Sequence, residues 1–203
     1  MSKTNHIVSD IERYLPPYLT PEDRAKLWSE LKSFPENMNF YLQDANLRDE
    51  LLQGDGWRGL VVTRFNDGEQ KTVLGMILSN SCDISAENDR CFPTNILFAP
   101  VVKLSRIAER LGEVKNEQQV TNILDNIRKQ RVTSLFFLPS GSGLEESVIF
   151  LDDIHSHPLQ HFLDNKRDSV FTLTQYAFYL LLMKLSIHFS RFQEGIRRFD
   201  DPE

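Results

Sequence analysis

Cysteine is scarce in this sequence: two, Cys82 and Cys91, among 203 residues. That excludes a disulfide-built scaffold and fits a reducing compartment. No apolar run is long enough for a bilayer. The longest, Tyr176 to Met183, is cut off by Lys184, whereas a spanning helix needs about 20 residues. The opening Met-Ser-Lys-Thr-Asn-His has no hydrophobic signal region, so the expectation is a cytoplasmic protein without membrane contact. Repeats and low-complexity segments are absent, which excludes a repeat array. An excess of positive charge is missing too. The net charge of −6 opposes binding of nucleic acid by the whole surface.

What is present is ordinary globular material: 40% hydrophobic and 26% charged residues, with 14 phenylalanines, mostly inside the apolar runs. The length suits one domain with a decorated edge. Charge is uneven. Residues 1–55 hold six Lys/Arg against ten Asp/Glu, residues 103–131 seven against four, and residues 166–198 six against two. A basic side on this acidic chain would have to be assembled from the last two segments.

The stretch with the most information is Val73 to Ser85. It starts as the apolar run of a strand buried on both faces and stops in Ser79-Asn80-Ser81-Cys82-Asp83. Polar chemistry at the rim of a rigid sheet and a plain turn are both consistent with this pattern.

Around it, Thr20-Pro21-Glu22-Asp23 predicts a helix start, and Phe40 to Leu52 a further helix. Residues 1–53 thus form a helical preface. Strands are expected at Trp57–Phe65 and Lys71–Leu78 around an Asn66-Asp67-Gly68 turn, then at Asn95–Val102, Ser134–Leu138 and Ser147–Ile154. Pro100 inside the third predicts a bulge or an edge. Apolar positions at helical spacing place a helical insert at 105–131, around Gly112. Thr172 and Gln175 have the spacing of a capping box and open a long helix to about Glu194, which completes a segment 163–203. Five strands in sequence with a single helical excursion predict an α+β protein with a mainly β core at 54–162. The form expected is a small antiparallel barrel with helices packed on it.

Four pieces, in order, resemble the MazF/PemK-type family of toxin endoribonucleases: Gly54-Asp55, Gly75-Met76-Ile77-Leu78-Ser79, Ile96-Leu97-Phe98-Ala99-Pro100, and Ser147 to His155. They span roughly residues 54–103 and 134–157. The resemblance implies an SH3-like, MazF-like antiparallel barrel, and RNA or DNA as a ligand. The family's loop arginine and the Ser or Thr after its Ala-Pro are replaced here by Glu69-Gln70-Lys71 and by Val101-Val102. Lys71 supplies a cation without a planar fork. Separately, Ser79-x-x-Cys82-Asp83-Ile84, with Phe189-Ser190-Arg191, is similar to uncharacterised bacterial proteins that share Ser/Thr-x-x-Cys-Asp at a strand end. That likeness implies a mobile-element or defence-type setting and no particular activity; with the first resemblance it implies a bacterial toxin–antitoxin or phage-defence type system.

The functional expectations follow. The leading one is a nucleic-acid- or protein-binding module, with a protein partner or a homodimer. Its rim comprises Ser79, Asn80, Cys82 and Asp83, with His155 and Asp153 nearby. Arg58, Arg64, Lys71, Lys103 and Arg106 are candidate phosphate contacts, and Trp57 and Phe65 candidate stacking rings. The rival reading is an enzyme, a ribonuclease or a cysteine- or metal-dependent hydrolase. In it Cys82 is the nucleophile, His155 the base, and Asp83 or Asp153 the orienter. No cofactor is expected. Cys82, Cys91, His155 and His157 are the weaker, zinc-type alternative. His155 and His157, two apart on a strand, would share one face. A third reading is a structural adaptor in which Asp83 accepts backbone N–H bonds to lock a loop.

Overall fold

The structure, a computed structural model, describes residues 20–22, 25, 39–43, 50–85, 87–165 and 167–190. Pro21, Glu22 and Ala25 are helical behind Thr20, as the cap signal requires. The remainder of that helix, the 44–49 part of the second expected helix and the last turns of the C-terminal one lie outside the described residues.

Among the described residues from Gly56 onward the chain builds seven strands and five helices. The hairpin β1 (Gly56–Thr63) and β2 (Gln70–Ile77) is followed by a single turn, α1 (Ser81–Ile84), and by β3 (Asn95–Lys103). Next come α2 (Leu104–Gly112), α3 (Glu117–Arg128), β4 (Leu135–Leu138) and β5 (Ser147–Phe150). The chain then forms β6 (His155–Pro158), α4 (Leu159–Asp164), β7 (Ser169–Phe171) and α5 (Gln175–Ser190). Every pairing is antiparallel, in the order β4-β5-β3-β2-β1-β7, with β6 beside β3. This is an α+β fold.

Among the described residues the sheet is open, because its end strands β4 and β7 do not pair with each other. The loop that follows β4 comes within hydrogen-bond reach of β7 and of the segment paired beyond it. Tyr41 bridges Leu173 just beyond β7 and donates its hydroxyl to Pro139 O, 2.7 Å away at the end of β4. Ser142 Oγ reaches Val170 O at 3.3 Å. Tyr41 also corrects the helix expected over Phe40 to Leu52. Leu42 N donates to Thr172 O and Thr174 N to Phe40 O, so the start of that segment is extended, and residues 50–53 are not helical either. Its apolar spacing does not distinguish a helix from a half-buried extended segment.

The fifth strand, expected over Ser147–Ile154, ends at Phe150, and a further strand starts at His155. Along β3, Phe98 to Val101 spans three steps, while the partner spans six between His155 and Ile149. Three residues therefore loop out between β5 and β6, opposite Ala99-Pro100. Pro100 has no N–H to offer, which is why the ladder tolerates a gap there. The excursion carries Asp152 and Asp153, and β6 returns with the histidines.

Three apolar clusters hold the fold. The largest packs α5 residues (Tyr176, Ala177, Leu180, Leu181) on Phe40, Met76, Phe136, Ile149 and Phe171. The second joins Trp57, Leu60, Ile77, Ile84, Ile96 and Phe98 to Leu159 and Phe162 of α4. The third seats α2 and α3 on β4 and β5.

Polar side chains finish the edges. The carboxamide of Gln130 donates to Phe137 O (2.8 Å) and accepts from Phe137 N (3.0 Å), covering the outer edge of β4 as a strand would. Buried Lys184 interrupts the apolar α5 and donates to Gln130 O and Val132 O. Burial pushes its ammonium down to about 8.

The cap of α5 is Thr174 rather than Thr172, whose backbone is committed to the extended pairing. Thr174 Oγ1 accepts from Ala177 N at 3.4 Å and donates to Asn39 O at 3.0 Å. Thr174→Ala is therefore expected to lower stability by about 1–2 kcal/mol, as other lost N-caps do. Urea unfolding checks this, with Thr172→Ala as the milder control.

Candidate nucleic-acid interface

The rim at the exit of β2 is built from backbone hydrogen bonds. Ser79 Oγ accepts from Leu97 N at 2.7 Å, fastening the end of β2 to β3. Asn80 caps α1 by accepting from Cys82 N at 2.9 Å. Ser81 Oγ accepts from Gln53 N at 2.8 Å. The following loop folds back on this turn. Asn88 Nδ2 donates to Cys82 O, and Arg90 Nη2 donates to Asp83 O and Ser85 O. Cys82 and Asp83 are exposed, and they meet Asn80, Asn88 and Arg90 through their backbone. The bonds that lock the loop come from Asn80, Asn88 and Arg90.

Asp55, just before β1, is the buried carboxylate of this region. Its Oδ2 accepts from Leu52 N at 3.1 Å, and its backbone carbonyl accepts from Ile77 N. Burial pushes its carboxyl up to about 7. The Leu52 N–H, the Thr172 hydroxyl and the Trp57 indole pull in the opposite direction. Neither of those two side chains completes a hydrogen bond to Oδ1, which has no partner among the described residues.

The second feature is a cleft of about 410 Å³ between the tip of the β1–β2 hairpin and β6–α4. The hairpin lines it with Val61, Thr63 and Gln70. The opposite wall is His155, Ser156, His157, Pro158 and His161. No carboxylate is among these lining residues.

His155 and His157 face the same side of β6, as their spacing predicts. His155 stacks on Phe98 (centroids 5.6 Å, 26°) and His157 meets the same ring edge-on (5.2 Å, 85°). His157 is 9% exposed and holds the hairpin over β6 through its Nε2, 2.6 Å from Val61 O. Its Nδ1 has no partner among the described residues. His161, on α4, packs against it at 5.6 Å.

The partners assign the tautomers of the other two rings. His155 Nε2 lies 3.1 Å from Asp153 Oδ1. A carboxylate only accepts, so Nε2 carries the proton and Nδ1 is the free lone pair. His161 Nδ1 lies 3.4 Å from Arg167 Nη2. A guanidinium only donates, so Nδ1 accepts and Nε2 carries the proton. Arg167 is seated over the Phe162 ring, 5.0 Å away, and donates to Phe162 O at 3.3 Å. Gly59 makes room for it. Its φ of +88° forms the bulge in β1, and a Cβ there would lie 2.9 Å from Arg167 Nη1.

The proposed phosphate contacts divide. Arg58 and Lys71 are exposed on the hairpin strands. Arg64 is occupied by Asp67 and Glu69 within its own turn, and Lys103 by Glu145. Phe65, at the hairpin tip, is 102% exposed, free for stacking. Trp57 corrects the expectation for it: it is 8% exposed, edge-on to Phe162 in the second core cluster. Its strand alternation turns it inward.

Of the nucleophilic set, Asp153 and His155 are joined directly, and no hydrogen bond or ring contact connects Cys82 to them among the described residues. The zinc-type set of Cys82, Cys91, His155 and His157 is not assembled. No three His, Cys, Asp or Glu side chains converge as a metal requires among the described residues. Both cysteines lie on the exposed α1 loop, whereas the histidines are on β6. Nor, among the described residues, is any helix long and apolar enough to cross a membrane. Thr63, Gln70 and Ser156 carry no motif in the sequence. They meet because the hairpin folds across β6. The chain matches no protein-family model, and no curated protein is significantly similar to it.

Proposed function

We propose that this chain is a nucleic-acid-binding module of SH3-like, MazF-like build, of the kind used in bacterial toxin–antitoxin or phage-defence systems. The carrying observation is the β1–β2 hairpin. It presents a fully exposed Phe65 at its tip and exposed Arg58 and Lys71 on its strands. On a chain of net charge −6, such a combination offers a ring for stacking and cations for a phosphate backbone. The antiparallel sheet, with its ends linked through Tyr41 and Ser142, supports the barrel-like build.

The Cys82-Asp83 rim takes the structural part of this reading. Its backbone is held by Asn80, Asn88 and Arg90, which favours a locked loop over a reactive thiol.

Fluorescence anisotropy with labelled RNA and DNA oligonucleotides at pH 7.5 tests the proposal. Binding is expected to weaken as salt rises. Phe65→Ala and the double variant Arg58→Ala/Lys71→Ala are each expected to weaken it about tenfold, from the stacking and phosphate terms. Affinity that ignores salt and both changes, or no binding at low salt, would overturn the assignment in favour of a protein partner.

A further inference from the structure

We propose that the bare edge of β1 at residues 61–63 is a strand-addition site for an extended peptide of a protein partner. The site is separate from the phosphate and stacking contacts of the hairpin, and the inference does not rest on the nucleic-acid reading.

The backbone ladder decides which groups that edge leaves open. Arg64 N donates to Glu69 O at 2.8 Å, so these two residues form a hydrogen-bonded pair. Such pairs alternate with non-bonded ones along an antiparallel ladder. Thr63 stands opposite Gln70, Val62 opposite Lys71 and Val61 opposite Thr72. Val62 therefore bonds to β2, while Val61 and Thr63 turn their N–H and C=O groups outward. The contact of His157 Nε2 with Val61 O, at 2.6 Å, falls on that outward side. The Val61 N–H and both backbone groups of Thr63 have no partner among the described residues.

β7 leaves this stretch uncovered. It pairs with Gly56 and Trp57 only, and the last bond on that side runs from Arg58 N to Asp168 O at 2.9 Å. Before Asp168 the chain leads back to α4, with Arg167 crossing over Gly59. The place that a longer β7 would fill is the cleft of about 410 Å³. The opposite wall, β6, is a poorer template. Leu97 turns its N–H to Ser79 Oγ and its C=O to Leu78 N, so its partner Ser156 faces outward. Two residues on, Pro158 has no N–H to offer. Gln130 covers the outer edge of β4, whereas Val61 and Thr63 carry neither the charge nor the proline that usually blunts an edge.

An extended polypeptide is the occupant that matches these groups. Open donors and acceptors recur two residues apart, about 6.7 Å along the strand, which is the repeat of a second strand. His157 already holds Val61 O. An antiparallel peptide that continues the line of β7 therefore makes three bonds: it accepts from Thr63 N–H and from Val61 N–H, and it donates to Thr63 O. No Lys, Arg, Asp or Glu is among the eight residues that line the cleft, and the neighbouring Asp153 is turned to His155. Val61, Pro158 and three imidazoles supply the packing surface. A charged side chain would lose its water there without gaining a partner, so the peptide is uncharged where it crosses the cleft.

Random dodecapeptides displayed on phage and selected on the full chain supply the probe. The best binder is synthesised and followed by fluorescence anisotropy and by amide NMR of the protein. The Val61 and Thr63 amide signals are expected to shift, and their hydrogen exchange to slow. Methylating the backbone nitrogens of the peptide one at a time should weaken binding about tenfold at one position, the donor to Thr63 O, and little at its two neighbours. Thr63→Pro, which removes an N–H that the hairpin does not use, should weaken binding about tenfold, and Thr63→Val, which keeps it, should not. The methylated series leaves the protein unaltered, so the result does not depend on how Thr63→Pro folds. No selected binder, amide shifts confined to other residues, or no methylation-sensitive position would each overturn the site. If an oligonucleotide shifts the same two amides and no peptide does, the cleft takes nucleic acid and strand addition fails. If the peptide binds as described and no oligonucleotide binds, strand addition stands and the nucleic-acid reading fails.

Discussion

Phe98→Ala is expected to lower stability by about 3–5 kcal/mol, the usual range for a buried phenylalanine, and to disorganise the histidine cleft at the same time. Phe98 is fully buried on β3 between Ile77 of β2 and His155 of β6. Its ring is the surface on which both His155 and His157 rest. The packing is close from the other side too. A Cβ added at Gly75 would lie 2.8 Å from the Phe98 ring and 2.7 Å from Leu60. Little can move in to fill the void, because β3 is paired on both edges. The measurement is a urea unfolding midpoint together with the histidine ring signals in an NMR spectrum. Phe98→Leu separates the two effects: it keeps most of the volume but removes the aromatic support, so it should shift the histidine signals at much smaller cost in stability. A loss below about 1 kcal/mol for Phe98→Ala, outside the range for filled cores, would contradict the packing described.

Asp55→Asn is expected to flatten the stability of the protein between acidic and neutral pH. The carboxyl is raised by burial from 3.8 to about 7. A raised acid means that the folded state holds its proton where the unfolded chain has lost it. The stability carried by the protonated form is therefore complete below about pH 4 and is lost as pH rises through 7. The full shift corresponds to about 4 kcal/mol at most. Asn cannot ionise, and its carbonyl oxygen can still accept from Leu52 N–H. The difference in unfolding free energy between variant and wild type should thus grow in favour of the variant from pH 4 to about pH 7 and stay level above. Urea titrations at intervals across that range read this directly. Parallel curves would mean that Asp55 is not buried as an acid. Because Asp55 fixes the turn into β1 next to Thr172, the effect should also appear as greater protection of the Leu52 and Ile77 amides.

The readable part of the fold was the part governed by local pattern. The hairpin around Asn66-Asp67-Gly68, the third and fourth strands, the helical insert and the C-terminal helix follow from alternation, helical spacing and turn chemistry. Pro100 announced its gap. The errors have one source: segments whose structure is fixed by a distant partner. Phe40 and Tyr41 are extended because Thr172 and Thr174 pair with them, and β7 is three residues whose only warrant is β1. His155–Pro158 lies past the expected end of the fifth strand at Ile154, and its warrant is its pairing with β3. Trp57 and Phe65 share one apolar run, and only strand orientation and hairpin curvature bury the first and expose the second.

By itself the sequence determined the α+β class, the acidic character, the polar exit of β2 and the shared face of His155 and His157. These are properties of neighbours along the chain, set by side-chain period and backbone chemistry. Tertiary structure alone decided that Tyr41 bridges Leu173 and reaches Pro139, and that Arg64 is spent on its own turn while Arg58 and Lys71 stay exposed. It alone brought Thr63 and Gln70 opposite three histidines about 90 residues away. Such proximity depends on sheet twist and on which apolar faces meet, and no local signal in the sequence encodes it.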